Sequence, residues 1–357
     1  MLAVYVAVGH ARWLLWGGHT AWLASAHQPW EVIPAYGSAL FRYGREAVMV
    51  FFVLSGFFIH FREAGRGERG DDGPVKFWRR RWHRIAPPYY FALAVTVVCD
   101  LIGRTWWPLL YASQTGDALL DSTFSRGGYS VASVLPAMVV LPVSLGRDFG
   151  SNGPIWSLAF EAVFYAIYPA WLWVRRRSRA TAFIGVPAIC LLIGVAPISA
   201  FPLTVLMYYP IWLAGACLAE YLAQDGVPRR SLAIGGAMFA AGSLFYLARP
   251  PIVLLLSAAM VFGAGLVLAF AGLQSRDRVV LPAFEFLGLR SYTIYIVHFP
   301  VLVLLSSYLF QAQGGRPLHG WVAVAGLALA VAAGCACFEA CERYFLHSRY
   351  RDTSAAP

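Results

Sequence analysis

The chain has 357 residues, 59% of them hydrophobic and 13% charged, with 13 tryptophans and a formal net charge of +10. That composition lies outside the globular range and excludes a separate water-soluble domain; at about 20 residues per crossing, the length holds roughly ten membrane helices and short connections. The positive charge requires no nucleic acid, because arginines against an anionic leaflet account for it.

Apolar windows predict spans near 2–22, 46–62, 85–103, 155–174, 181–199, 203–223, 231–248, 251–272, 291–311 and 320–341. The stretch 131–143 is about two-thirds of a crossing and is interrupted by Pro136 and Pro142, so it reads as interfacial or re-entrant. Basic residues orient the set: with the N-terminus inside, 20 of the 28 Lys and Arg fall in cytoplasmic segments and 7 in outer loops, Arg12 lying within the first span. The expected fold is therefore an all-α integral membrane protein, a bundle of about ten transmembrane helices with both termini cytoplasmic, multi-pass in the cell inner (plasma) membrane. One transmembrane domain over 1–345 is followed by a short cytoplasmic tail, 346–357. Ala24-Ser25-Ala26 has the small-residue look of a signal cleavage site, but no Lys or Arg precedes Arg12, which argues against cleavage. No repeat of 20–50 residues and no matching pair of broken helices is visible.

In the first span His10 lies roughly 13 Å of helix rise from the chain start. A neutral histidine at that depth has a ring nitrogen free to take a proton from an attacking hydroxyl; the structural reading is a polar group tied to a neighbouring helix. Other ionisable groups within or at the ends of spans are Arg12, Glu46, His60, Glu161, His298, Glu339 and Glu342. In the second span Ser55-Gly56 sits among bulky apolar residues: the glycine permits close helix approach, and the serine lacks the strand-turn-helix setting of a hydrolase nucleophile.

Next, Phe77 to Tyr90 reads FWRRRWHRIAPPYY, with four arginines in six positions. On a helix Arg80 and Arg84, and Arg81 and Arg84, share a face and can grip one anion with bidentate guanidinium forks. A topology anchor needs charge without a shared face, and both readings stay open here. Glu161, following IWSLAF in the fourth span, needs a partner at its depth; candidates are His10, whose tautomer it can fix, and Arg12 as an ion pair. His298, with Ser291 and Tyr292 in the turns before it, either lines the same cavity or bonds a neighbour. The six cysteines, Cys99, Cys190, Cys217, Cys335, Cys337 and Cys341, show no metal-ligand spacing beyond a loose Cys335-x-Cys337 and read as small packing residues, so no metal is expected.

Taken in order, Gly9-His10, FFVLSGFFIH (51–60), RRRWHRIAPPYY (79–90), NGPIWSLAFEAVFYAIYP (152–169) and SYTIYIVHFP (291–300) make the chain resemble the acyltransferase-3 family of membrane O-acyltransferases over nearly its whole length. The resemblance implies transfer of an acyl group, commonly acetyl from acetyl-CoA, to a hydroxyl of a carbohydrate, glycolipid, antibiotic or similar acceptor. It matches the family histidine to His10, the Arg-x-x-Arg element to Arg81 and Arg84, and the Trp-Ser-x-x-x-Glu element to Trp156, Ser157 and Glu161. The mechanism expected from these matches and from the residue reading has His10 as general base oriented by Glu161, Arg80, Arg81 and Arg84 holding the acyl-CoA phosphates, and Ser55, Trp156, Ser157, Tyr292 and His298 as pocket candidates. The family pattern also carries an arginine upstream of the histidine, at a distance that falls before Met1, so a start assigned downstream of the true one is expected. The competing classes are a non-enzymatic transporter or flippase of a lipid-linked substrate and a catalytically inactive relative; clustering of the polar groups on the first, second, fourth and ninth spans favours a single reaction site.

Overall fold

The computed structural model describes residues 2–23, 32–64, 73–193, 200–274 and 282–346. Ten apolar helices follow one another among them: α1 (Leu2–Leu15), α2 (Gly44–Ala64), α3 (Gly73–Trp106), α4 (Trp156–Arg177), α5 (Thr181–Ile193), α6 (Phe201–Asp225), α7 (Ser231–Leu247), α8 (Ile252–Gln274), α9 (Ser291–Gln313) and α10 (Trp321–Leu346). Seven are long and apolar enough to cross a membrane; α1, α5 and α7 are shorter apolar helices. Each expected window thus falls on an apolar helix. The end of the 181–199 window, the 24–26 motif, Arg66, Arg69, Arg276, Arg278, Arg349, Arg351 and most of the 346–357 tail lie outside the described residues.

Two expectations change. The 2–22 window is not one helix: α1 stops at Leu15, Gly18 takes φ +87, and a new short helix runs Gly18–Leu23. Glycine enters that left-handed region without a Cβ clash, so Gly17-Gly18 is a natural breaking point. The arginine run, read as lying between spans, is instead the first part of α3, continuous with the span through Pro87 and Pro88. These prolines leave the His83 and Arg84 carbonyls without helical amide partners, at two exposed residues where water can serve. A helix of 34 residues rises about 51 Å, against about 30 Å of hydrocarbon, so its basic end projects beyond the apolar layer. Segment 131–143 contains only the helix Val131–Met138, too short to cross, with Val131, Leu135, Met138 and Val139 exposed.

The chain divides into two compact units, the first made of Met1–Gly44, Arg79–Ala159 and Pro282–Pro357, the second of Arg45–Trp78 and Phe160–Leu281. In the first, α1 packs on α9 and α10 around Leu14, Leu15, Leu120, Phe124, Phe299 and Leu302. The connection after α3 is anchored by buried Asp100, which accepts from Tyr129 Oη (2.8 Å), Ser151 N (2.8 Å) and Ser151 Oγ (2.6 Å). Gly150 makes this possible: its φ is +54, and a Cβ there would press on Asp100 and Tyr129. A two-residue parallel bridge, Gly127–Gly128 with Asp148–Phe149, closes the loop.

In the second unit α2 and α6 cross at reciprocal glycines. A Cβ on Gly56 would collide with the Trp212 carbonyl, and one on Gly215 with the Val53 carbonyl, so the close-approach reading of Gly56 holds. At the ends of the same helices buried Glu220 takes Arg175 and Arg179 as ion partners, and His60 Nε2 lies 3.4 Å from Glu220 Oε1 while its Nδ1 meets Tyr168 Oη at 2.9 Å. Pairing is what makes a carboxylate tolerable at such a site.

Candidate functional site

The first unit gathers its polar groups around the end of α1. A helix leaves its last carbonyls unpaired, and here they are bonded: Arg316 Nη1 donates to the Trp13 oxygen (3.0 Å) and Ser306 Oγ to the Leu14 oxygen (2.9 Å). Trp16 Nε1 donates to the Leu318 oxygen (2.9 Å), so α1 is pinned on several sides. Gly9 admits the Phe41 carbonyl to within 2.7 Å of where a Cβ would stand.

His10 projects from this fixed helix onto α9. Its Nδ1 lies 2.8 Å from His298 Nε2, and the two rings are parallel within 5°. Phe299 meets the His10 ring edge-on at 4.9 Å and Trp13 at 6.4 Å. His298 is fully buried and its Nδ1 is 3.1 Å from the Ile294 oxygen, whereas His10 is only partly buried. Of the pair, His10 is the less buried residue.

Around the pair α9 is braced by side chains that the sequence did not single out. Pro300 has no N–H for the Ile296 carbonyl, and Asn152 Nδ2 donates to it instead (3.0 Å). The same Nδ2 donates to Thr96 Oγ1 on α3 (3.0 Å). Tyr295 Oη donates to the Pro154 oxygen (3.1 Å) and lies 2.8 Å from Ser157 Oγ, so Ser157 serves the turn that starts α4. Asparagine before a Gly-Pro, and tyrosine three residues before a histidine, were the available signals. Asp100 and Glu220 also stand outside the sequence-derived candidates, although any carboxylate within a span carries that signal.

Tyr292 Oη donates to the Ile85 oxygen (3.1 Å), tying α9 to α3 one residue beyond Arg84. Arg80 and Arg81 are half-buried and Arg84 exposed on one continuous helix, so the shared face is present; Arg84 is an electrostatic neighbour of Glu342, which accepts from Thr293. Trp156 opens α4 and is half-buried. In the second unit Ser55 Oγ accepts from Trp212 Nε1 (3.2 Å) and meets Tyr165 Oη (2.9 Å), and Glu161 is half-buried on α4. No cluster of three or more His, Cys, Asp or Glu suited to a metal occurs among the described residues.

From Arg84 to Thr96 α3 rises about 18 Å, and from Tyr292 to His298 α9 rises about 9 Å. Tyr292 meets Ile85, and Asn152 joins Thr96 to Ile296, so α9 is tied to α3 at two levels along its length.

A family model described as an acyltransferase domain matches residues 2–339. The chain is 28% identical over 327 residues to acyltransferase MdmB of Streptomyces mycarofaciens, an overlap covering 82% of this chain and 78% of that one. It is 26% identical over 305 residues to peptidoglycan O-acetyltransferase OatA of Listeria monocytogenes, covering 74% of this chain and 46% of that one. It is 30% identical over 207 residues to exopolysaccharide production protein ExoZ of Rhizobium meliloti, covering 56% of this chain and 57% of that one. The chain thus spans about half the length of the last two. No solved structure matches.

Proposed function

Because the chain belongs to the acyltransferase-3 family of membrane acyltransferases, we propose that it transfers an acetyl group from acetyl-CoA to a hydroxyl of a carbohydrate or glycolipid acceptor at the inner (plasma) membrane. One observation carries this reading: a histidine, His10, held by a second ring on pinned helices, in the same compact unit as a helix face of three arginines. That arrangement suits a CoA whose phosphates rest on Arg80, Arg81 and Arg84 and whose thioester arm reaches inward. Relatives named as a peptidoglycan O-acetyltransferase and an exopolysaccharide production protein support a carbohydrate acceptor.

In the proposed step His10 Nε2 takes the proton of the acceptor hydroxyl as its oxygen attacks the thioester carbonyl. The carbon–sulfur bond then breaks, and the imidazolium returns the proton to the departing CoA thiolate. Glu161, the acidic residue of the stretch Trp156-Ser157-x-x-x-Glu161, is the second catalytic candidate. Arg80, Arg81 and Arg84 supply charge and orientation, which matter because holding reactants in place is worth several kcal/mol of barrier.

The test is acetyl transfer in proteoliposomes given labelled acetyl-CoA on the arginine side, with mass spectrometry of surface glycans and glycolipids from cells with and without the gene. A gain of one acetyl increment that requires acetyl-CoA is expected. Movement of a lipid-linked sugar without any CoA requirement would replace this reading with a flippase.

A further inference from the structure

His298 is not required by the proton transfer as written, yet its ring is fully buried against His10 and both of its nitrogens are engaged. We propose that His298 is a positioning residue that fixes the tautomer of His10 and thereby presents His10 Nε2, lone pair outward, to the acceptor hydroxyl. The proposal rests on the reading of His10 as the general base.

The chemistry of each nitrogen's neighbour fixes where the protons sit. The Ile294 carbonyl oxygen can only accept, and it lies 3.1 Å from His298 Nδ1, so that nitrogen carries hydrogen. A neutral imidazole has one N–H, which leaves His298 Nε2 as an acceptor. His10 Nδ1, 2.8 Å from it, must then donate, and His10 Nε2 is left bare. The alternative, a doubly protonated His298, would bury a cation in a fully enclosed site, and it would move the His10 proton to Nε2, where it cannot act as a base. The Ile294 carbonyl thus plays through the second ring the orienting part that a carboxylate plays in many acid–base pairs.

The backbone around His298 is built to hold that ring. Ile296 lies two residues before it and Pro300 two after; Asn152 occupies the carbonyl that Pro300 leaves open and binds Thr96 on α3. Tyr295, a turn earlier, is fixed to the Pro154 carbonyl and its ring centroid stands 5.8 Å from that of His298. Both imidazoles therefore stand on helices whose rotation is restrained, and the Phe299 edge closes the apolar side of His10.

Two measurements test this. In wild-type protein labelled with nitrogen-15 histidine, spectra assigned with a His10→Gln control are expected to show the His10 proton on Nδ1 and none on Nε2. A proton on Nε2 overturns the proposal without touching the reading of the family's activity, since this readout needs no turnover. In kinetics, His298→Phe is expected to lower kcat by about 10²-fold or more with little change in KM for acetyl-CoA, on the scale of losing base orientation. His298→Gln, whose amide oxygen can accept from His10 Nδ1, is expected to recover at least about tenfold of that loss. Wild-type kcat in folded His298→Phe would overturn the positioning role, as would equal loss in both variants. If the tautomer is as expected but wild-type protein transfers no acyl group, the proposed activity fails and the positioning of the ring stands.

Discussion

Asn152 Nδ2 donates to the Ile296 carbonyl oxygen at 3.0 Å, the one backbone acceptor on α9 that Pro300 deprives of its helical amide. A buried carbonyl without a partner costs about 1–3 kcal/mol. Asn152→Ala is therefore expected to destabilise the folded protein by roughly that amount, read as a lower melting midpoint in detergent. Pro300→Ala restores an N–H at the position that needs it. In the double variant the two changes should compensate, leaving a loss smaller than the sum; simple additivity would show that the two sites are independent.

At the α2–α6 crossing sequence and packing make opposing demands. Alanine is a better helix former than glycine by about 1 kcal/mol. Yet a Cβ on Gly56 or Gly215 meets a backbone carbonyl, which cannot swing aside as a side chain would. Overpacking of that kind costs about 1–3 kcal/mol or more. Gly56→Ala and Gly215→Ala are expected to be net destabilising, whereas Gly153→Ala, with no atom near its Cβ site, should be close to neutral. Melting midpoints of the three variants decide this.

Asp121 gives the connection after α3 a pH dependence. Thr115 Oγ1 (2.7 Å) and the amides of Thr115 (2.9 Å) and Gly116 (3.1 Å) donate to its carboxylate, and these bonds, the threonine hydroxyl first, hold its pKa below the usual carboxylate range. A depressed folded pKa contributes stability that is complete above the ordinary value of about 3.9 and is lost as pH falls through the folded value. Amide exchange over residues 113–125, corrected for intrinsic rates, should therefore accelerate below about pH 4. In Asp121→Asn that acid-dependent step should vanish.

What the sequence made legible was whatever depends on local composition. Apolar windows located ten apolar helices among the described residues, seven of them long enough to cross, because crossing a bilayer imposes a length and a hydrophobicity. His10, Arg81 and Arg84 stood out as costly or clustered charges, and Gly56 stood out by its bulky neighbours. The break of α1 at Gly17-Gly18 was hidden inside an apolar window, since hydropathy is blind to φ. The continuity of the arginine run with α3 was hidden because four arginines in six positions end the apolar window at residue 85, and hydropathy does not register a helix that runs on past the apolar layer. Asn152 and His298 gain their roles from contacts with residues 144 and 288 positions away in sequence, and no local pattern carries such distances.

For His10 the expectation is direct. His10→Ala should reduce acetyl transfer by about 10²–10⁴-fold, the usual range for a general base, while membrane insertion is kept. Glu161→Gln should lower the rate as well, keeping the size of the side chain while removing its charge. Substantial residual transfer in folded His10→Ala would remove His10 from the reaction and, with it, the proton path drawn above.

The arginines separate anchoring from binding by salt and by topology. If Arg81 and Arg84 grip CoA phosphates, Arg81→Ala and Arg84→Ala should weaken acetyl-CoA binding, and the wild-type affinity should fall steeply with ionic strength because exposed charges are screened over about 8–10 Å. Lysine at either position keeps the charge but loses the bidentate fork, so it should restore orientation in the membrane more fully than affinity. An anchor alone predicts the reverse: unchanged CoA affinity in both alanine variants and a fraction of molecules inserted the wrong way round, visible by accessibility labelling of single cysteines in α3 and its flanking loops. Because the run is one helix with the span that reaches Thr96 and Asn152, a variant that loses affinity without losing orientation would tie this helix to the donor as well as to the bilayer.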